Sequence, residues 1–265
     1  MAIIKAAIAT DPVKPFILGD YELEKPRADE VLVRIVASGI CHTDIAVKEQ
    51  AVKLPLPMVL GHEGSGVVEM VGDGVNHLSV GDHVVLSGDS CGSCDKCHHG
   101  LPSYCDDFVE RNLTGYRVDG TSPLSAGNEP VRGRFVGQSS FASHSIVSGR
   151  AAIKVDKRYP LELLGPLGCG LTTGVGTVMN ALRPRAGSSI AIFGAGTVGL
   201  AAVMGAVLSG CQQIIVIDPI STRREMAISL GATHALPPND SGLIDELLSL
   251  TRGGADFSVE CSGVP

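Results

Sequence analysis

A chain of 265 residues suffices for two domains with separate apolar cores, and a net charge of −7 without any Lys/Arg run excludes the usual nucleic-acid binder. Only 18% of residues are charged while 33 are glycine, which points to tight turns and close backbone approaches within packed domains. Lys5 and Asp11 interrupt the only early apolar stretch, so no signal peptide is read. A reducing cytoplasm is then expected, in which the eight cysteines are metal ligands or packed thiols.

In chain order, short strands are expected at residues 3–8, 31–38, 66–71, 83–86 and 141–147, separated by Gly, Pro and Asp, the texture of an irregular β-rich domain. From about Leu161 the pattern changes to strands at 189–193, 213–217, near Ala235 and at 256–260, alternating with Ala/Leu-rich helical segments. That alternation predicts a parallel sheet with crossover helices. Residues 186–217 contain no Asp, Glu, Lys or Arg and are long enough to imitate a membrane span. Six glycines inside them divide the run into strand, turn and helix, so a membrane helix is not expected.

Cys91, Cys94, Cys97 and Cys105 lie in a C-x2-C-x2-C-x7-C loop rich in Gly, Ser and Asp. Four thiolates at these spacings can reach the corners of a tetrahedron around Zn²⁺, and a closed all-cysteine shell leaves no position for substrate, so the role read here is structural. A pair of disulfides or an iron–sulfur centre remain alternatives. His98 and His99 add nothing to a completed shell and read as solvated loop residues.

Four motifs in order carry a resemblance: Gly39 with Cys41-His42-Thr43-Asp44; Gly61-His62-Glu63-Gly64 followed by Gly66-Val67-Val68; the cysteine loop; and Leu167-Gly168-Cys169-Gly170. Together they resemble the zinc-dependent medium-chain alcohol dehydrogenase family over essentially the whole chain. The segments LPLP at 54–57 and GQSSFA at 137–142 are similar to its aryl-alcohol (benzyl-alcohol) branch. The resemblance implies an α/β protein with a GroES-like β-barrel catalytic domain over 1–165. Cys169 is contributed from just beyond, and an incomplete Rossmann domain follows over 166–265. It further implies that Cys41, His62 and Cys169 hold a catalytic zinc, a two-thiolate, one-imidazole set with the fourth position open. Asp44 would orient the histidine ligand, Glu63 would sit close to the metal, and Thr43 would take the alcohol's proton. Where many relatives continue that relay with a histidine three residues later, this chain has Ala46.

Phe193 and the turn Gly194-Ala195-Gly196-Thr197-Val198-Gly199 follow an apolar strand and open an Ala-rich helix, which puts GxGxxG in the context of dinucleotide binding. Gly194 allows the turn, Gly196 lets the backbone approach a pyrophosphate, and Gly199 permits close helix–strand packing; Val198 lies in the first helical turn, whose N-terminus faces the anion. Asp218, at the end of the next strand, suits the ribose hydroxyls of NAD and repels the 2′-phosphate of NADP, unless it only caps the helix starting near Ser221. Arg223 is a possible ribose contact, and His42 resembles the family's basic pyrophosphate neighbour. Cys211 and Cys261 have no ligand spacing and read as packed thiols.

The expected function is transfer of a hydride from a primary, aromatic alcohol to NAD, with two zinc ions per chain, an aldehyde product and a cytoplasmic location. The partners expected are the small-molecule substrate and, for a complete family member, a second copy of the chain, with neither nucleic acid nor membrane. Four strands of the six in a full dinucleotide fold are read before the chain ends. A catalytically silent zinc-binding remnant is therefore the alternative, and a weak or inactive 265-residue chain is expected.

Overall fold

The computed structural model describes residues 1–238 and 242–263. The chain divides into two compact units, Met1–Cys169 and Gly170–Pro265. The division falls just past the 165/166 boundary read from the sequence, so Cys169 belongs to the first unit.

The first unit contains two five-stranded sheets. One is built from β1 (Ala2–Ala9), β2 (Ile17–Leu23), β4 (Met58–Val59), β7 (Leu124–Ala126) and β8 (Glu129–Val131), in the order β4-β1-β2-β7-β8. The other holds β3 (Glu30–Gly39), β5 (Glu63–Val71), β6 (His83–Leu86), β9 (His144–Ser148) and β10 (Ala152–Lys154), in the order β10-β6-β5-β3-β9. All pairings between these strands are antiparallel. The period-2 pattern of β1 buries Ile4, Ala6 and Ile8 and leaves Ile3 and Lys5 outside, as expected for a sheet with one solvated face.

Residues 141–143, expected to be strand, instead join the two sheets. Ala7 N–H donates to Phe141 O, Ser143 N–H to Lys5 O, and Ile35 N–H to Ser143 O. A regular strand there would pair with one sheet only; the φ of +55° at Ser139 has already turned the backbone, and the strand starts at His144. Three short helices, α1 (His42–Lys48), α2 (Asp95–His98) and α3 (Phe108–Asn112), lie in the connections of this unit.

In the second unit, α4 (Gly170–Gly176) runs into a π-helical turn, Thr177–Leu182. The strands β11 (Ser189–Phe193), β12 (Gln213–Ile217), β13 (His234–Leu236) and β14 (Phe257–Glu260) form a wholly parallel sheet in the order β13-β12-β11-β14. Its crossovers are α5 (Thr197–Leu208), α6 (Ser221–Ser229) and α7 (Leu243–Leu250). Parallel strands need both faces covered. One face, with Ile190, Ile192, Ile214 and Val216, packs on Ala202, Val203 and Ala206 of α5. The other, with Ala191, Ile215 and Ile217, packs on Leu243, Leu247 and Leu250 of α7, whose spacing puts them on one helical stripe. Helices on both faces make this a doubly wound sheet. The uncharged run 186–217 is thus β11, α5 and β12, and among the described residues no helix is long and apolar enough to cross a membrane.

Candidate metal and dinucleotide sites

Cys41 stands at the N-cap of α1, His62 just before β5, and Cys169 at the end of the first unit; their ligand atoms all lie within 4.8 Å of one another. The geometry around His62 begins with Asp44, in the first turn of α1 and almost fully buried. Its Oδ1 accepts from His62 Nδ1 at 3.1 Å and from Gly61 N–H at 2.9 Å, while Oδ2 accepts the Cys41 N–H at 3.0 Å. With Nδ1 committed to the carboxylate, Nε2 is the ring atom left to ligate once its proton is displaced, and it is buried with no hydrogen-bond partner. A buried imidazole nitrogen without a partner is costly in a native protein. Here it has two thiols beside it, which is the donor chemistry of zinc.

Charge placement agrees. In the metal-free chain Cys41 is drawn down to about 3 by the Cys169 thiol and the His62 imidazole beside it, so it is a thiolate. Burial opposes a charged His62, but the hydrogen bond to Asp44 and the Cys41 thiolate close by outweigh it and raise the imidazole to about 9. Cys169 is pushed far upward by the neighbouring Cys41 thiolate and by burial, with Glu63 adding to the effect. Glu63 is buried and hydrogen-bonded to Cys169, so its carboxylate does lie beside the ligand cluster. Thr43 is exposed, its Oγ1 3.7 Å from Cys41 Sγ, and Ala46 follows one turn later on the same helix.

Two residues of this site escaped sequence reasoning. Gln138, with no exposed surface, donates from Nε2 to His62 O at 2.9 Å and accepts the Gly64 N–H at Oε1 at 3.0 Å, clamping the backbone on both sides of Glu63. Phe135 meets the His62 ring edge-on at 5.4 Å. The only signal for either was the polar run at 138–140 inside an apolar stretch, which was read as a branch signature and not as a scaffold.

Cys91, Cys94, Cys97 and Cys105 also bring their sulfurs within 4.8 Å of one another. The Cys91–Cys97 sulfur separation of 3.9 Å is close to the edge of about 3.8 Å that a tetrahedron with Zn–S bonds of ~2.3 Å requires. All eight cysteines are free in this structure. Backbone N–H groups of Ser93 and Cys94 point at Cys91 Sγ and that of Cys91 at Cys105 Sγ, the donors a thiolate shell needs. His98 and His99 are exposed and outside the cluster.

In the second unit the three glycines do what the motif requires. Gly194 has φ +94°, and a Cβ there would stand 2.8 Å from Ser262 N; at Gly199 a Cβ would lie 1.8 Å from Gly194 O. A Cβ on Gly196 would meet nothing within 4 Å, so the space above it is open for a ligand. Val198 is half-buried in the first turn of α5. Asp218 sits at the end of β12 with 3% of its surface exposed. Its Oδ2 accepts the Ala195 N–H at 2.7 Å and its Oδ1 the Ile220 N–H at 2.8 Å. It therefore both fixes the glycine turn and braces the start of α6. Arg223 is half-exposed with Nη1 4.0 Å from the carboxylate; Arg224, passed over in the sequence, donates to Asp218 O at 2.6 Å. His42 is exposed at the first position of α1. Cys211 and Cys261 pack against the apolar cluster around α5, and burial raises Cys261 to about 11.

A β-rich unit with two cysteine-based clusters able to hold a metal ion and a parallel-sheet unit with a glycine-rich turn have the arrangement of a zinc-binding dehydrogenase. The Alcohol dehydrogenase GroES-like domain family matches residues 27–157, and the Zinc-binding dehydrogenase family matches residues 197–265. The chain is 45% identical to the geraniol dehydrogenase of Castellaniella defragrans over 98% of its length, spanning 70% of that protein. It is 38% identical to alcohol dehydrogenase 1 of Pisum sativum, over 98% of this chain and 69% of the relative. The crystal structure of benzyl alcohol dehydrogenase from Acinetobacter calcoaceticus superposes with a TM-score of 0.93 at 42% identity, covering 100% of this chain and 72% of that one. The chain belongs to the zinc-dependent medium-chain alcohol dehydrogenase family.

Proposed function

We propose that this protein is a zinc- and NAD-dependent dehydrogenase that oxidises a primary alcohol, benzylic for preference, to the aldehyde, and reversibly. The observation that carries the reading is the partnerless, buried Nε2 of His62 beside the sulfurs of Cys41 and Cys169, a three-donor set with one side left for substrate. When bound, zinc supplies a Lewis acid that acidifies an alcohol hydroxyl near neutral pH, and NAD supplies the hydride acceptor.

The chain's own residues do the rest. Asp44 holds the His62 tautomer, Gln138 holds the backbone at His62 and Gly64, and Glu63 places a carboxylate beside Cys169 to assist ligand exchange. Thr43 takes the alcohol's proton. Ala46 offers no group to pass it on, so water or the ribose of a bound cofactor would have to carry it away. Four further thiolates hold a second, structural zinc. At the glycine turn, the Gly196 backbone and the first turn of α5 receive the pyrophosphate, and Asp218 favours a ribose diol over a 2′-phosphate. Support for the substrate class comes from the relatives named for benzyl alcohol and geraniol, both primary alcohols whose carbinol carbon adjoins an unsaturated carbon.

The test is nicotinamide reduction with benzyl alcohol, comparing NAD with NADP in the natural protein and in Asp218→Ala. The expected result is a preference for NAD that Asp218→Ala relaxes. Zinc-loaded protein that reduces neither cofactor with any primary alcohol would show the catalytically silent alternative instead.

A further inference from the structure

The loop bearing Cys91, Cys94, Cys97 and Cys105 contains no strand, and no side chain from residues 91–112 enters an apolar core cluster. Something else must join it to the barrel. Just ahead of the first cysteine, Asp89 is 2% exposed and its Oδ2 accepts from Arg111 Nη1 at 3.2 Å and from Arg134 Nη2 at 3.5 Å. Just after the last, the fully buried Asn112 accepts the Asp89 N–H at 2.8 Å and donates to Asp89 O at 3.0 Å, so the two ends of the loop are tied together.

From Asp89 a line of buried charges continues into the barrel. Arg134 Nη1 donates to Glu30 Oε1, at the start of β3, at 2.7 Å. Arg117 donates to the same carboxylate at 2.8 and 2.9 Å and to Glu24 at 3.0 Å. Arg117, Arg134, Glu30 and Asp89 are each less than 10% exposed, around a cavity of about 200 Å³. That cavity is lined by four arginines and four carboxylates, which leaves no net attraction for an anion. On the other side of the loop the Arg150 guanidinium lies over Gly92, where a Cβ would stand 2.1 Å from its Cζ.

We propose that the chain of charges Glu24, Arg117, Glu30, Arg134, Asp89 and Arg111, buried at its four central members, couples the four-cysteine metal site to the barrel, with Arg134 and Arg111 as positioning residues that keep the loop closed over its ion. The inference rests on the two-zinc reading above. Breaking the chain at Arg134 leaves the Asp89 carboxylate with Arg111 as its remaining arginine partner, while Asn112 still holds the Asp89 backbone, so the loop loosens without the barrel unfolding. Direct partners of metal ligands have effects of about 10–100-fold on metal binding, and Arg134 and Arg111 act one step further back through Asp89, so the lower end, about tenfold, sets the scale.

The experiment follows zinc release from the full, zinc-loaded chain into excess coloured chelator, with Cys169→Ser used to identify the phase belonging to the three-ligand site. Arg134→Met and Arg111→Gln are compared with the unaltered chain, alongside Arg134→Lys as the conservative variant. The expected result is release from the four-cysteine site about tenfold faster in Arg134→Met and measurably faster in Arg111→Gln. The three-ligand phase stays unchanged and Arg134→Lys is partly restored. Should Arg134→Met fail to fold, Arg111→Gln decides the matter, because Arg111 lies at the rim. An unaltered chain holding two zinc ions whose variants release them at the same rate overturns the proposal. An unaltered chain holding only one zinc removes the two-zinc reading, and this inference with it.

Discussion

A single carboxylate, Asp44, fixes two of the three ligands by accepting from the Cys41 N–H, the Gly61 N–H and His62 Nδ1. Asp44→Asn turns an amide NH₂ toward one of these donors, so zinc affinity at the three-ligand site falls about 10–100-fold while the four-cysteine site keeps its own. Competitive chelator titration measures both, and equal affinities in variant and parent would remove the positioning role. The pH dependence follows from His62. Its folded value of about 9 lies above the ordinary 6.5, so the protonated form stabilises the metal-free chain below 6.5 and that contribution is lost as pH rises through 9. Zinc must displace that proton and the one on Cys169, whose pKa lies higher still, so affinity rises with pH, more steeply below about 9 than above it. The ligands and Asp44 were legible because their residue types are rare and their motif order is specific. Gln138 was not, since it reaches His62 across 76 residues and acts on backbone, which leaves no periodicity or spacing to read.

At the scale of elements, the glycine turn makes a prediction that separates folding from binding. Gly199→Ala places a Cβ 1.8 Å from Gly194 O and should cost at least ~1–3 kcal/mol of stability, whereas Gly196→Ala meets nothing and should leave Tm unchanged. Both should weaken NAD binding, the second by occupying the space the pyrophosphate needs. Calorimetry of the paired variants checks this, and a Gly196→Ala protein that binds NAD normally would contradict the placement. The strands flanking this turn, 189–193 and 213–217, were read with the limits the structure has, because fully buried parallel strands are uninterrupted β-branched runs. The strand expected from 256 begins at Phe257, since the Asp256 carboxylate instead accepts from Ser189 N–H and Oγ. Strand β2 was not read: Ile17 and Leu18 are exposed, so ILGDYEL shows no clean alternation. The β7–β8 hairpin was overlooked although its two-residue turn, Gly127-Asn128 between the paired Ala126 and Glu129, is a hairpin signal.

For the molecule as a whole, division into a β-rich unit and a parallel α/β unit was visible as a change of texture, but what ties the metal loop to its barrel was not. Glu30 and Arg134 are 104 residues apart, and nothing local marks them as partners. Their burial has a consequence in acid. Burial opposes the Glu30 charge, but hydrogen bonds and charges from Arg117, Arg27 and Arg134 prevail and hold its pKa below the usual 4.5. A depressed carboxylate stabilises the fold above 4.5 and loses that contribution as pH falls through its folded value. The Tm advantage of the unaltered protein over Glu30→Gln should therefore shrink below pH 4.5, and a constant gap would contradict the ion-pair account.

Two separate clusters in this chain are each expected to hold a zinc ion, one with an open side. Elemental analysis of purified, zinc-saturated protein tests this most directly. The expected content is two zinc ions per chain, falling to one in Cys169→Ser with the fold retained, and in Cys94→Ser a loss of the other together with much of the stability. A single zinc in the unaltered chain, or two still bound in Cys169→Ser, would contradict it.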